Sequence, residues 1–251
     1  WIGHPDHLPA DGVALADGVA WVATIDGLPD ITETSHAADR GAADEVERVL
    51  DAIASGETNR AGRLLSGLSV RYLISIDRLA PAPFSTDESA IPLPADLAET
   101  LDTQLDLRRL PGVNSAARVF ENIEWTPMRA AAVVGFDDGI DDIFDLAVTP
   151  IGSNIGVLVG TDDRIDGPLP DQTEVLVTQT PDEGWTLTVD GQIAAKRRSL
   201  GWATSFVPAS GGDAVLAYAT PRWRQLAVLT QLVMIAAAVG FVLRRITGAG
   251  R

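Results

Sequence analysis

No cysteine occurs in the 251 residues, which excludes disulfides, thiolate metal sites and thiol nucleophiles. Histidine is scarce too, and three residues leave little for imidazole bases or histidine-rich metal centres. Positive charge is in deficit: 19 Lys and Arg face 35 Asp and Glu, for a formal net charge of -16 and a pI near 4.4. A surface of that sign repels phosphate backbones and argues against nucleic acid as a partner. Catalytic signatures are missing as well. There is no G-x-S-x-G elbow, no G-x-x-x-x-G-K-[ST] loop, no G-x-G-x-x-G fingerprint and no Asp-x-Asp triplet. No cofactor is implied, and the reading is of a non-catalytic region.

Long apolar runs are also absent, with one exception. Gln225 to Leu243, QLAVLTQLVMIAAAVGFVL, carries no charge. As a helix it predicts a length of roughly 28 Å, near the hydrocarbon thickness of a bilayer. Arg222, Trp223 and Arg224 precede it and Arg244 and Arg245 follow, residue types suited to headgroup layers. The expectation is a transmembrane helix with a short basic tail over 223–251, residues 1–222 extracytoplasmic and the C-terminus cytoplasmic. The opening WIGHPDHLPADG has neither a basic nor an apolar leader region. An exported region without its own leader suggests a fragment preceded by further membrane helices, which become expected partners.

At this length roughly two further domains are expected. Ala42 to Ile53 places Val46, Val49, Leu50 and Ile53 on one helical face. Thr58 is a plausible N-cap for a helix over 59–66, and SVRYLISI, 69–76, reads as a buried strand. A proline-rich loop covers 80–94, followed by a helix over 95–104 and strands over 105–110 and 117–122. Helices alternating with strands predict a small α/β subdomain over 1–126. Short β-type runs at 130–136, 154–159, 173–180, 185–189 and 214–219 then predict an antiparallel β-sandwich over 127–222. Asp-Gly pairs at 138–139, 166–167 and 190–191 mark turns, the last being the clearest hairpin signal. The expected fold class is therefore α+β, an α/β subdomain followed by a β-sandwich and one transmembrane helix.

Few residues invite a chemical reading. His4 and His7 stand beside Asp6 and Asp11, a ligand type for a divalent metal in a loop broken by Pro5 and Pro9. His36, near Glu33 and Asp39, reads as a surface residue. Asp137, Asp138, Asp141 and Asp142 form the densest acidic cluster, a weak calcium motif without the closing Glu of a twelve-residue loop. TDDRIDG, 161–167, is weaker still. Trp185 and Trp202 are exposed-looking aromatic positions, where an indole on a β-sandwich either packs in the core or stacks on a sugar face. With Asp190 they make the candidate carbohydrate-binding set.

The series Glu183–Gly191 (EGWTLTVDG), Leu200–Pro208 (LGWATSFVP) and Ala214–Tyr218 (AVLAY) resembles the last extracytoplasmic β-domain of polytopic membrane proteins of the YfhO-like kind. Gly67–Ile74 and Val119–Pro127 resemble earlier strands of the same proteins. The opening twelve residues and Gly56–Leu65 are similar to the C-terminal region of actinobacterial membrane proteins of the family 2 glycosyltransferase type. The resemblance implies an accessory region of a cell-envelope glycosyltransferase whose nucleotide-sugar site lies elsewhere, with a cell-wall glycan or lipid-linked sugar as the possible partner. Gly184, Trp185, Asp190, Gly191 and Trp202 match it as hairpin and packing positions. The alternative is a scaffold that positions partners without touching sugar.

Overall fold

The computed structural model describes residues 1–25, 41–80, 90–111, 116–149, 151, 156–161, 164–179, 181–220 and 222–248. Of these, 41, 161, 164, 238 and 240–248 are described by backbone alone. His36, most of the proline-rich loop, residues 154–155 of one expected strand, and Asp162 and Asp163 lie outside the described residues.

Three sheets dominate. The first takes β1 (Ile2–Gly3), β2 (Val13–Ala16), β3 (Val19–Trp21), β4 (Tyr72–Ile76), β5 (Leu107–Arg109) and β6 (Ala117–Asn122). Its order is β2-β3-β1-β4-β6-β5. With it come α1 (Gly41–Ala54), α2 (Ala61–Ser66) and α3 (Ala95–Asp102). The α1 stripe holds as the spacing predicts: Val49, Leu50 and Ile53 are buried with Leu64, Leu65, Leu97, Leu101 and Phe120 in one core.

The expectation of an α/β unit is corrected here. Only β1 and β4 run parallel; every other pairing in the sheet is antiparallel. An α/β unit returns each strand parallel through a helical crossover. Between β4 and β6 the chain inserts both α3 and β5, so β6 comes back antiparallel beside β4.

From residue 129 onward strands take over: β7 (Arg129–Val133), β8 (Val159–Thr161), β9 (Arg164–Leu169), β10 (Thr173–Val177) and β11 (Trp185–Val189) come first. Then come β12 (Gln192–Ile193), β13 (Ala195–Ser199), β14 (Ala203–Val207) and β15 (Gly212–Tyr218). They form a four-stranded sheet, β13-β14-β10-β7, and a five-stranded sheet, β12-β11-β15-β9-β8. Val175, Val177 and Phe206 of the former meet Ile165, Leu187, Val189 and Leu216 of the latter in a shared core. Alternation along each strand sends these residues inward. Asp190 and Gly191 make the expected two-residue hairpin with φ of 47° and 79°, the positive pair that matches strand twist. Of the other two Asp-Gly pairs, 138–139 is a turn, but 166–167 lies within β9, hydrogen-bonded into the sheet between β8 and β15.

The last element is α4, Arg222–Gly248, 27 residues long. The expectation of a transmembrane helix over 225–243 is overturned: among the described residues no helix is long and apolar enough to cross a membrane.

Candidate functional site

Three polar constellations stand out, and two of them hold the fold. The first is buried beneath α2. A helix of six residues gains little from its own hydrogen bonds, and its first amides need partners from elsewhere. Ala61 N–H donates to Gln104 Oε1 at 2.9 Å, Gly62 N–H to Asp106 Oδ1 at 2.8 Å and Arg63 N–H to Asp106 Oδ2 at 2.9 Å. Asn122 Nδ2 donates to the carbonyls of Gly62 and Val70. Thr58, the expected N-cap, instead accepts from Arg60 N–H at 3.0 Å, one step before the helix.

The second constellation ties the acidic turn to β10 and β13. Glu174 is 0% exposed. Its Oε1 accepts from Arg197 Nε at 2.7 Å and its Oε2 from Gly135 N–H at 3.1 Å. The same guanidinium donates to Asp137 Oδ1 at 2.5 Å, and Ser199 Oγ donates to Asp137 Oδ2 at 2.6 Å. Asp142 caps the 3-10 turn Ile143–Ala147 and pairs with Arg48 at 2.6 Å. Its carboxyl is held below the usual range, first by the Phe144 N–H and then by Arg48. These oxygens are already engaged by arginine, serine and backbone. Among the described residues no group of three or more acidic or histidine side chains is placed to hold a metal ion. His4 Nδ1 accepts from Asp6 N–H at 3.3 Å, and its ring meets His7 edge-on at 5.8 Å.

The expected carbohydrate-binding set is dispersed. Trp202 is 4% exposed and packs in the core of the first sheet. Trp185, half-buried, opens β11, while Asp190 stands beyond its far end, about 17 Å away at strand rise. Asp190 Oδ1 accepts from Asp213 N–H at 3.0 Å, a hairpin role.

The third constellation lies at the root of α4, where the chain leaves the β-rich part. Asp182 Oδ1 accepts from Gly184 N–H at 2.7 Å, and its Oδ2 accepts from Arg224 Nη2 at 3.0 Å and from Tyr218 Oη at 3.3 Å. Arg224 Nη1 also donates to Tyr218 Oη at 2.7 Å, closing a triangle. The Tyr218 ring packs on Trp185 with centroids 5.1 Å apart. Lys196, the only lysine in the chain, reaches across from β13 and donates to the carbonyls of Asp182 at 2.7 Å and Trp185 at 2.9 Å. Cations in the first turn of a helix oppose its dipole, so Arg224 needs the Asp182 carboxylate beside it. Sequence reading missed this clasp because its members lie 42 positions apart. The available signal was the Arg-Trp-Arg lead into the apolar run.

The Gly184 N–H first, and then Arg224, hold the Asp182 carboxyl below its ordinary value of 3.8. A carboxylate depressed in the folded state stabilises it fully above the unfolded value and ceases to as pH falls through the folded value. The near-ultraviolet circular dichroism of the Trp185–Tyr218 contact is thus expected to weaken only below about pH 4. Asp182→Ala should show the weakened signal already at neutral pH; a wild-type-like signal would mean that the clasp does not hold the ring pair.

The chain matches no family model, no curated protein and no solved structure. The motifs that carry the two resemblances have local work to do in this fold. Gly62 of the Gly56–Leu65 stretch and Asn122 of the Val119–Pro127 stretch meet in the buried network under α2, while Gly184 and Trp185 belong to the clasp.

Proposed function

We propose that the chain is a non-catalytic module held at a membrane by α4, which fixes the position of a β-rich body and contributes no chemistry of its own. The carrying observation is the state of the helix surface. Leu226, Val228, Leu229, Leu232, Val233, Met234 and Ile235 are all exposed, Leu229 and Ile235 each at 60%. Successive positions around the helix are apolar, so no described face is polar enough to meet water, and among the described residues nothing covers it. A helix apolar all round belongs in a protein core or in lipid.

The clasp supports a positioning role. Arg224, Asp182, Tyr218 and Lys196 join the helix root to strands of two sheets, so the body and the helix move together. In an assembly of the glycosyltransferase type that the sequence resembles, such a module would act as a scaffold, since Trp185, Trp202 and Asp190 share no face on which a sugar could stack.

The 251-residue chain is expected to float with phosphatidylcholine vesicles in a density gradient. Leu229→Arg with Leu232→Arg should leave it at the bottom, since each arginine in hydrocarbon costs about 2.5–3.5 kcal/mol. Equal flotation of the double variant would sink the membrane reading.

A further inference from the structure

Arg222 opens α4, and Arg198 lies one strand repeat from Lys196, whose ammonium reaches the same root. Arg222 sits in the first helical turn, exposed, beside Trp223 at 62% exposure. Among the described residues Arg222 has no hydrogen-bond or ion-pair partner. A cation there opposes the helix dipole and, unlike Arg224, receives no compensating carboxylate from the fold. On β13, Lys196 and Arg198 alternate with Arg197, so both point to the face opposite the Glu174 pair. Lys196 is tied to the root through the carbonyls of Asp182 and Trp185. Arg198 follows one strand repeat on, exposed and likewise unpaired among the described residues.

The opposite end of the five-stranded sheet carries the other sign. Asp171, Asp190 and Asp213 cluster there, linked through Gly211 N–H to Asp171 and Asp213 N–H to Asp190. Where the apolar helix departs, Lys196, Arg198, Arg222 and Arg224 outnumber Asp182 and Glu183 beside the aromatic Trp223, whereas the hairpin end carries Asp171, Asp190 and Asp213. A negatively charged membrane surface attracts the first end and repels the second.

We propose that Arg222, Arg198 and Lys196, with Trp223 beside Arg222, form a docking surface for anionic lipid headgroups that sets the attitude of the β-rich body on the membrane. The inference rests on the membrane reading of α4 and deepens it by naming the headgroup class. An anionic phosphate beside Arg222 supplies the charge that the fold gives Arg224 through Asp182. The exposed indole of Trp223 suits the same layer, with its ring in the acyl boundary and its N–H among the headgroups.

The test compares binding of the 251-residue chain to vesicles of phosphatidylcholine alone and to vesicles containing phosphatidylglycerol. Binding to the second is expected to be the stronger, with an advantage that shrinks as salt is raised. Arg198→Gln and Arg222→Gln, neither of which takes part in the clasp, should each cut that advantage about fivefold and leave binding to phosphatidylcholine unchanged. Equal binding to both vesicles overturns the inference and leaves the membrane reading standing, as does an advantage that survives both substitutions together. Failure to bind phosphatidylcholine strikes the membrane reading itself.

Discussion

Replacing Asp106 by alanine is expected to destabilise the fold by about 3 kcal/mol, because it strands two buried amides at once. Gly62 and Arg63 present their N–H groups to the two oxygens of this one carboxylate at 2.8 and 2.9 Å. Asp106 is 1% exposed, so water cannot replace it cheaply. Each orphaned donor costs about 1–3 kcal/mol, and the carboxylate also loses a favourable place at the positive end of α2. Gly62→Ala should be comparably severe for a steric reason. A Cβ there would stand 2.5 Å from Asn122 Oδ1 and 2.8 Å from the Asp106 main-chain oxygen, and that backbone cannot yield without moving the strand that follows. Asp106→Asn keeps an acceptor for one amide and should fall between wild type and Asp106→Ala. Thermal unfolding followed by circular dichroism checks the order, with a fall of roughly 10 °C expected for Asp106→Ala. Were the alanine variant as stable as the asparagine one, the capping account would fail.

Elements whose signal is local were legible in the sequence. The stripe Val49, Leu50, Ile53 follows from helical spacing, and the Asp190-Gly191 hairpin follows from two residues that tolerate positive φ. Strands β6 and β11 coincide with their expected ranges, 117–122 and 185–189. What was not legible depends on pairing at a distance. Nothing in residues 1–126 announces that β6 returns antiparallel beside β4, and that direction is what removes the α/β unit. The Asp-Gly pair at 166–167 carries the same letters as the true hairpin, yet two flanking strands draw it into β9. For Trp202, which stands in the β13–β14 turn, burial was decided by a neighbour: that turn brings Leu200 against Gly67 and Trp202 into the first core. The root clasp shows the same limit. Each member is an ordinary loop or strand residue until the fold brings Asp182 and Arg224 together.

The second large effect is expected at Arg197, whose guanidinium compensates a carboxylate with no access to water. Arg197→Met should destabilise the chain by about 3–5 kcal/mol. Glu174 would keep only the Gly135 N–H at 3.1 Å, and Asp137 only the Ser199 hydroxyl at 2.6 Å. The loss reflects the charge left behind more than the value of the pair, since taking two ions out of water offsets most of their attraction. A second substitution separates these terms. Glu174→Gln keeps an acceptor for Gly135 and removes the charge, so Arg197→Met with Glu174→Gln is expected to recover about 2 kcal/mol relative to Arg197→Met alone. Urea unfolding of the three variants and wild type gives the cycle directly. If the double variant were no more stable than Arg197→Met, the cost would lie in lost packing of the arginine stem or in Asp137. Glu174 would then be a bystander, and a lone carboxylate inside the run Thr173–Val177 would cease to mark an electrostatic joint between the acidic turn and the sheet.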